Sequence, residues 1–207
     1  YGEYVKQGQV LAELDKEELQ ARVREAKASL QAAMAMHESA TAAFERFRVL
    51  CALREGPRGV EGLNTVLTAH ARERLRLPPA ASDRSPWFVG RPVIVLRNDP
   101  VLRLFNGDIG IALPVADGEL MVHFPTTDGG FRVVAPTRLP EHQSAFALTV
   151  HKAQGSEFDE VLVVLPAQPA AVLSRELLYT AVTRARRRVT VAANAAVIAA
   201  AIGTPTR

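Results

Sequence analysis

Along the amino-terminal quarter of the chain, apolar and small residues recur at alternating steps of four and three. They are Leu19, Val23, Ala26, Leu30, Ala33, Ala40, Phe44 and Phe47, with His37 filling one slot as a tolerated seam residue. That rhythm is a heptad seam and predicts a long helix over about residues 16–52. Asp15 stands where an N-cap belongs, and Glu18 completes a capping box. Residues 2–15 read as short strands around a glycine turn. A helix of this length implies a coiled coil, one arm of a helical hairpin, or a docking arm.

The pattern changes after Phe44. Residues 48–64 hold an apolar run, a Gly/Pro turn and a fresh helix start, and 65–77 are helical in pattern. Pro78, Pro79, Ser82, Asp83, Ser85 and Pro86 make a loop. From Trp87 to Leu139 short apolar runs alternate with turn signals at Asn106-Gly107, Asp117-Gly118 and Gly129-Gly130. Four or five strands joined this way predict a small barrel-like β insert. Asn98, Asp99, Asn106 and Asp108 read as turn residues. His123 alternates with apolar neighbours and reads as an exposed strand residue rather than a metal ligand. Trp87 and Phe88 offer rings for stacking on bases or for packing. From Phe146 the chain reads as a strand, a polar loop, a continuous apolar run at 161–165, a helix at 176–183, a core strand at 189–193 and a closing helix at 195–202. Strands alternating with helices make this part α/β, and the continuous run fits a buried parallel strand.

Composition narrows the picture slightly. A chain of 207 residues, 48% hydrophobic and 23% charged, has the balance of a soluble protein of one or two domains. The net charge of +3 is mild, but its distribution is uneven. Arg175, Arg184, Arg186, Arg187 and Arg188 face only Glu176, which suits a polyanion or phosphate, or else a solvated helix end. The single cysteine, Cys51, excludes a disulfide framework, and its apolar setting makes it a buried structural thiol. No signal peptide and no apolar run of membrane-spanning length is visible, so a cytoplasmic location is expected. The initial Tyr1 leads us to expect a fragment or processed product.

Two polar clusters abut apolar runs: Thr149-Val150-His151-Lys152-Ala153-Gln154-Gly155-Ser156-Glu157 and Tyr179-Thr180-Ala181-Val182-Thr183-Arg184-Ala185-Arg186. In the first, Gln154, Gly155 and Glu157 occupy a loop between strands, where α/β sheets commonly bind ligands. Thr149 and His151 offer short contacts to a phosphate backbone, and Lys152 and Arg186 add positive potential. In the second, Arg184 ends a helix, where its planar fork suits phosphate. No Gly-x-x-x-x-Gly-Lys-[Ser/Thr] string and no Walker B acidic pair occurs, so no phosphate cradle is expected in this chain.

The strings LCALREGPRGVEGLN, GRPVIVLRNDPVLRLFNGDIGIAL, RLPEHQSAFALTVHKAQGSEFDEVLVVLP and RELLYTAVTRARRRVTV resemble the RecD family. These are superfamily 1 helicases of the 5′-to-3′ branch, and the resemblance runs from about Phe44 to the carboxyl end. It implies an α/β, RecA-like second motor domain with an SH3-like β-barrel insert, behind a long amino-terminal helix. The implied divisions are an arm at 1–43, motor segments at 44–86 and 140–207, and the insert at 87–139. The resemblance makes Arg184 the arginine finger, supported by Thr183 and Tyr179, and Arg54 a second phosphate-facing arginine. Gln154, Gly155 and Glu157 would couple nucleotide to DNA, with Thr149, His151, Lys152 and Arg186 on the DNA side. Implied ligands are ATP with Mg²⁺, gripped mainly by residues outside this sequence, and no metal site within it. Implied partners are single-stranded or unwinding duplex DNA and RecB-like and RecC-like subunits in double-strand-break repair and recombination, with no membrane partner for 44–207. Alone, the chain should neither hydrolyse ATP nor unwind DNA. Residues 1–43 separately resemble the lipoyl-type half-motif and hairpin entry of HlyD-like membrane-fusion adaptors. Lys6 and Lys16 occupy no hairpin tip, so no lipoyl or biotinyl modification is expected. This second resemblance leaves open a non-catalytic interaction or export-adaptor module.

Overall fold

In the computed structural model, residues 24, 39, 42, 46–77, 85–115 and 117–205 are described. The adaptor-like reading of 1–43 and most of the heptad helix lie outside them. One correction falls inside. The segment Phe47–Cys51 is a strand, β1, not the end of a helix. Its apolar run fits either period, and the sheet decides. Val49 and Cys51 pack on one face, while Leu50 packs on the other. A residue exposed to neighbours on both faces gains more from extension than from a helical seam.

After β1 comes helix α1, Val60–Arg74. It starts earlier than the Gly-rich sequence suggests, because those glycines are close-packing points. A Cβ on Gly59 would lie 2.2 Å from the carbonyl oxygen of Glu55, and one on Gly62 would lie 2.4 Å from that of Gly56. The turn therefore folds directly against the first helical turn. Glu61 near the start, and Arg72 and Arg74 near the end, complement the helix dipole.

Strands β2 (Pro92–Val95), β3 (Ile109–Pro114), β4 (Leu120–Pro125), β5 (Phe131–Val134) and β6 (His142–Ser144) form an antiparallel sheet in the order β5-β4-β3-β2-β6. The predicted turns set its register. Gly107, Gly118 and Gly129 have φ of 104°, 84° and 80°, which glycine reaches without a Cβ penalty. The turn residues behave as their chemistry predicts. Asn98 Oδ1 accepts from the Asn106 amide at 2.7 Å, Asp99 Oδ1 from Leu102 at 3.0 Å, and Asp108 Oδ2 from Phe105 at 2.8 Å. Val93, Val95, Leu104, Ala112, Val122, Phe124 and Val134 make its core. His123 corrects the sequence reading: it is buried rather than exposed, and burial holds its imidazole below the ordinary value. No ladder joins β5 to β6 among the described residues.

The chain then returns through β7 (Ala147–Thr149), β8 (Phe158–Val164), helix α2 (Arg175–Val182), β9 (Ala185–Ala192) and helix α3 (Ala195–Gly203). With β1 these strands form an all-parallel sheet in the order β7-β1-β8-β9. Ser174 caps α2 through Leu177, and Asn194 caps α3 through Val197, as helix starts require. Leu63 and Leu67 of α1 cover one face of the sheet; Leu177, Ala181, Val197 and Ala201 of α2 and α3 cover the other. The fold is thus an α/β, RecA-like parallel sheet with an antiparallel insert between α1 and β7. β9 differs from the expected core strand. It is an edge, and residues 186–190 are exposed. Cys51 is fully buried and its thiol is pushed up to about 12 by burial, which suits a structural thiol.

Candidate nucleotide and nucleic-acid site

The loop at 150–157 is shaped by the sheet order. β7 and β8 flank β1 and run parallel to it, so the connection must cross the sheet from carboxyl edge to amino edge. It does so without a helix, through one 3₁₀ turn at His151–Ala153. Val150 and Ala153 are each 1% exposed and pin the loop into the α2 and α3 side of the core. The intervening polar residues are thereby forced outward: His151, Lys152, Gln154, Gly155, Ser156 and Glu157 are all exposed. Gly155 has φ of 83° and turns the chain towards β8.

At the carboxyl edge, the Thr149 hydroxyl accepts from the Lys152 amide at 3.2 Å and caps the 3₁₀ turn. Burial first, then the nearby Arg54 charge, holds the Lys152 ammonium below its usual range, with Glu141 opposing. Arg54 itself is solvent-facing and pairs with Glu61 at 3.2 Å. These two cations make a positive spot above the ends of β1 and β7.

Arg184 lies at the opposite edge, immediately before β9. Its Nε donates to the Thr180 carbonyl at 3.1 Å, one terminal nitrogen to the Ser156 carbonyl at 3.1 Å, and the other to the Thr183 hydroxyl at 3.3 Å. The guanidinium therefore closes the carboxyl end of α2, where the helix dipole favours a cation, and ties that end to the loop. It is held back on the protein rather than projecting freely. Thr183 supports it directly, while the Tyr179 ring is 69% exposed. Glu157 and Arg186 pair at 3.1 Å, so a residue expected on the nucleotide side neutralises one expected on the DNA side. The fold does not bring Arg54 to Arg184. The length of β8 separates them, roughly 20 Å at strand rise.

Beside the loop lies a groove of about 580 Å³, lined by His151, Gln154, Leu173, Glu176, Leu177 and Thr180. Thr180 is shared by the groove and by the Arg184 network. Phe88 is buried under the Arg72 guanidinium, 5.7 Å from its ring centre, and so is a core residue. Trp87 packs between Arg91, at 4.7 Å, and the His142 ring, at 5.4 Å. The sequence reading missed Asn64, which is 7% exposed and bonded to Ser144 and Ala147. Its signal was an amide on the apolar face set by Val60 and Leu67.

Among the described residues, no cluster of His, Cys, Asp or Glu could hold a metal ion, and no helix is long and apolar enough to cross a membrane. The residues present also fail to form a phosphate cradle, because the glycine-lysine loop that would wrap a triphosphate is absent from the sequence.

Residues 144–192, which hold β7 to β9, the crossing loop and α2, match the family described as the UvrD-like helicase C-terminal domain. The chain carries a helicase-like domain homologous to RecD and superfamily 1 helicases. It is 41% identical to the RecBCD enzyme subunit RecD of Mycobacterium tuberculosis over 181 residues, 87% of this chain and 30% of that protein. It is 42% identical to RecD of Mycolicibacterium smegmatis over 163 residues, 79% of this chain and 28% of that one. A crystal structure of Bacteroides Pif1 helicase with ADP-AlF3 and single-stranded DNA resembles 73% of this chain and 41% of its own, at 19% identity and a TM-score of 0.46. The chain thus spans about 30% of the length of the RecD relatives it matches. Fewer residues lie outside the M. tuberculosis match than the 43 set apart at the amino end, so RecD similarity enters that segment as well.

Proposed function

We propose that the chain is the C-terminal motor portion of an ATP-dependent 5′-to-3′ DNA helicase subunit. It acts in double-strand-break repair and recombination in the cytoplasm, beside RecB-like and RecC-like subunits. The observation that carries this reading is the Arg184 bridge between the end of α2 and the 150–157 loop. An arginine there responds to two events. A negative phosphate competes for its guanidinium, and any shift of the loop moves the Ser156 carbonyl that restrains it. Arg184 is then the arginine finger, and Gln154, Gly155 and Glu157 relay its state to Thr149, His151 and Lys152 along a DNA strand. ATP with Mg²⁺ is gripped mainly by residues outside this sequence. Arg54, at the far edge of the sheet, belongs with Lys152 on the polyanion side more readily than with Arg184. The antiparallel insert takes an SH3-like role, bracing the strand or the complex.

The test is Arg184→Ala in the full-length protein. ATP turnover should fall by about 10³-fold or more, the usual worth of an arginine finger, while DNA affinity and the folded circular dichroism persist. Arg184→Lys should rescue poorly, since a point charge lacks the planar fork. Turnover retained by Arg184→Ala would overturn the assignment.

A further inference from the structure

The passage from the antiparallel sheet back into the parallel sheet is very short: only Ala145 and Phe146 separate β6 from β7. Three side chains from three elements grip it. The Asn64 amide, on α1, donates to the Ser144 carbonyl at 2.7 Å and to the Ala147 carbonyl at 3.1 Å, and its oxygen accepts from the Ala147 amide at 2.8 Å. Arg91, just before β2, donates to the Ser144 hydroxyl at 3.3 and 3.2 Å. Arg48, on β1, donates to the Ala145 carbonyl at 3.4 Å. The Ala145 amide also donates to the Pro92 carbonyl at 2.9 Å.

Asn64 binds both backbone groups of Ala147, as a neighbouring strand would, and so acts as a one-residue strand along the β7 edge. A buried primary amide is costly unless its partners are supplied. Here three of its bonds are made, all to one joint. Beyond the joint, only Leu148 precedes Thr149, the last residue of β7, and the crossing loop. A displacement of the insert therefore has no slack in which to dissipate before it reaches His151 and Ser156.

We propose that Asn64 is a positioning residue that makes the 144–147 joint stiff, so that load on the insert sheet reaches the 150–157 loop. The coupling half of this proposal rests on the helicase reading of that loop; the stiffness half does not.

The two halves have separate tests. In hydrogen exchange on the 207-residue chain, Asn64→Ala and Asn64→Asp should speed exchange at residues 147–153 by about tenfold, the worth of one lost buried bond. Amides of β4 and β8 should keep their rates. In the full-length protein, DNA-stimulated ATP turnover at saturation should fall by about fivefold, a typical coupling effect. Turnover without DNA and the DNA concentration for half-stimulation should stay unchanged. Wild-type exchange at 147–153, uniformly faster exchange everywhere, or full stimulation despite a loosened joint would each overturn the proposal. If the Asn64 variants fail to fold, Arg91→Gln, which releases the Ser144 hydroxyl, tests the same joint and should act in the same direction. A full-length protein without any DNA-stimulated turnover would sink the helicase reading, and the exchange result would still decide the stiffness.

Discussion

The two sheets of this molecule satisfy their backbones by different means. In the antiparallel insert, glycine turns at 107, 118 and 129 join β2 through β5 in a row of close neighbours, and β6 alone among these strands pairs over a longer span, with β2 about fifty residues before it. In the parallel sheet, β1 pairs with strands about a hundred residues further along the chain. Its apolar residues face helices on both sides. The insert can therefore order itself locally, whereas the motor sheet must close long loops before its contacts form. The polar groups of interest all lie at the edges of the sheet whose order is set globally. Changes deep in that sheet should thus spread to the site, while changes in the insert should stay local unless they pass through the 144–147 joint.

The sharpest test of this contrast is a pair of core truncations. Leu50→Ala, at a fully buried position in β1, should cost about 3–5 kcal/mol and lower every unfolding probe together. Leu104→Ala, equally buried in the insert, should cost about 2–3 kcal/mol, because the adjoining loop can relax around the cavity. Trp87, the single tryptophan, packs on the insert core, so its fluorescence reports that sheet, while amide hydrogen exchange in β1 and β8 reports the parallel one. If Leu104→Ala destabilises both sheets equally by these readouts, the two regions form one cooperative unit and the contrast fails.

A smaller effect should follow from pH. Burial depresses the His123 imidazole below its ordinary 6.5, so the unfolded chain takes up this proton first. Its contribution is intact above 6.5 and is lost as pH falls from there through the folded value. The urea midpoint followed by Trp87 fluorescence should therefore hold above 6.5 and drop as pH is lowered below it. His123→Gln should flatten that drop; an unchanged slope would mean that other groups cause it.

Least should come of Arg186→Ala. Its partnership with Glu157 is solvent-exposed, and such pairs contribute about 0.5 kcal/mol or less, shrinking further in salt. A measured loss well above that would show the pair to be part of the fold rather than of a binding edge.

The same contrast governs what was legible in the sequence. Strands β2 to β5 of the insert were legible because Asn-Gly and Asp-Gly pairs encode turns locally, whereas β6 was not: His142–Ser144 is polar, and it falls past Leu139, where the insert was expected to end. β8 was legible as an unbroken apolar run. β1 was not, since its apolar residues also continue the heptad rhythm through Phe47. The residue that betrays it, Arg48, is buried with its guanidinium 4.8 Å from the Phe158 ring centre, far along the chain. The two polar clusters stood out by composition, but their geometry did not. Nothing local says that Arg184 restrains the Ser156 carbonyl, or that Arg54 emerges at the other edge of the sheet. Asn64 escaped notice because its partners lie about eighty residues away.

One feature of the last strand bears on how the protein behaves in a crowded solution. β9 leaves an open edge among the described residues, and an unpaired strand containing Val189, Thr190 and Val191 is a template on which another chain can extend the sheet. The run Arg186-Arg187-Arg188 sits along that edge, and the alternation of a strand places its charges on both faces. A second copy approaching to pair would bring like charges within strand spacing, which opposes association. Glu157 and Glu160 temper Arg186 and Arg188, so the guard against aggregation is strongest at Arg187, and on the helicase proposal a polyanion lying along this edge would suspend that guard for as long as it stays bound.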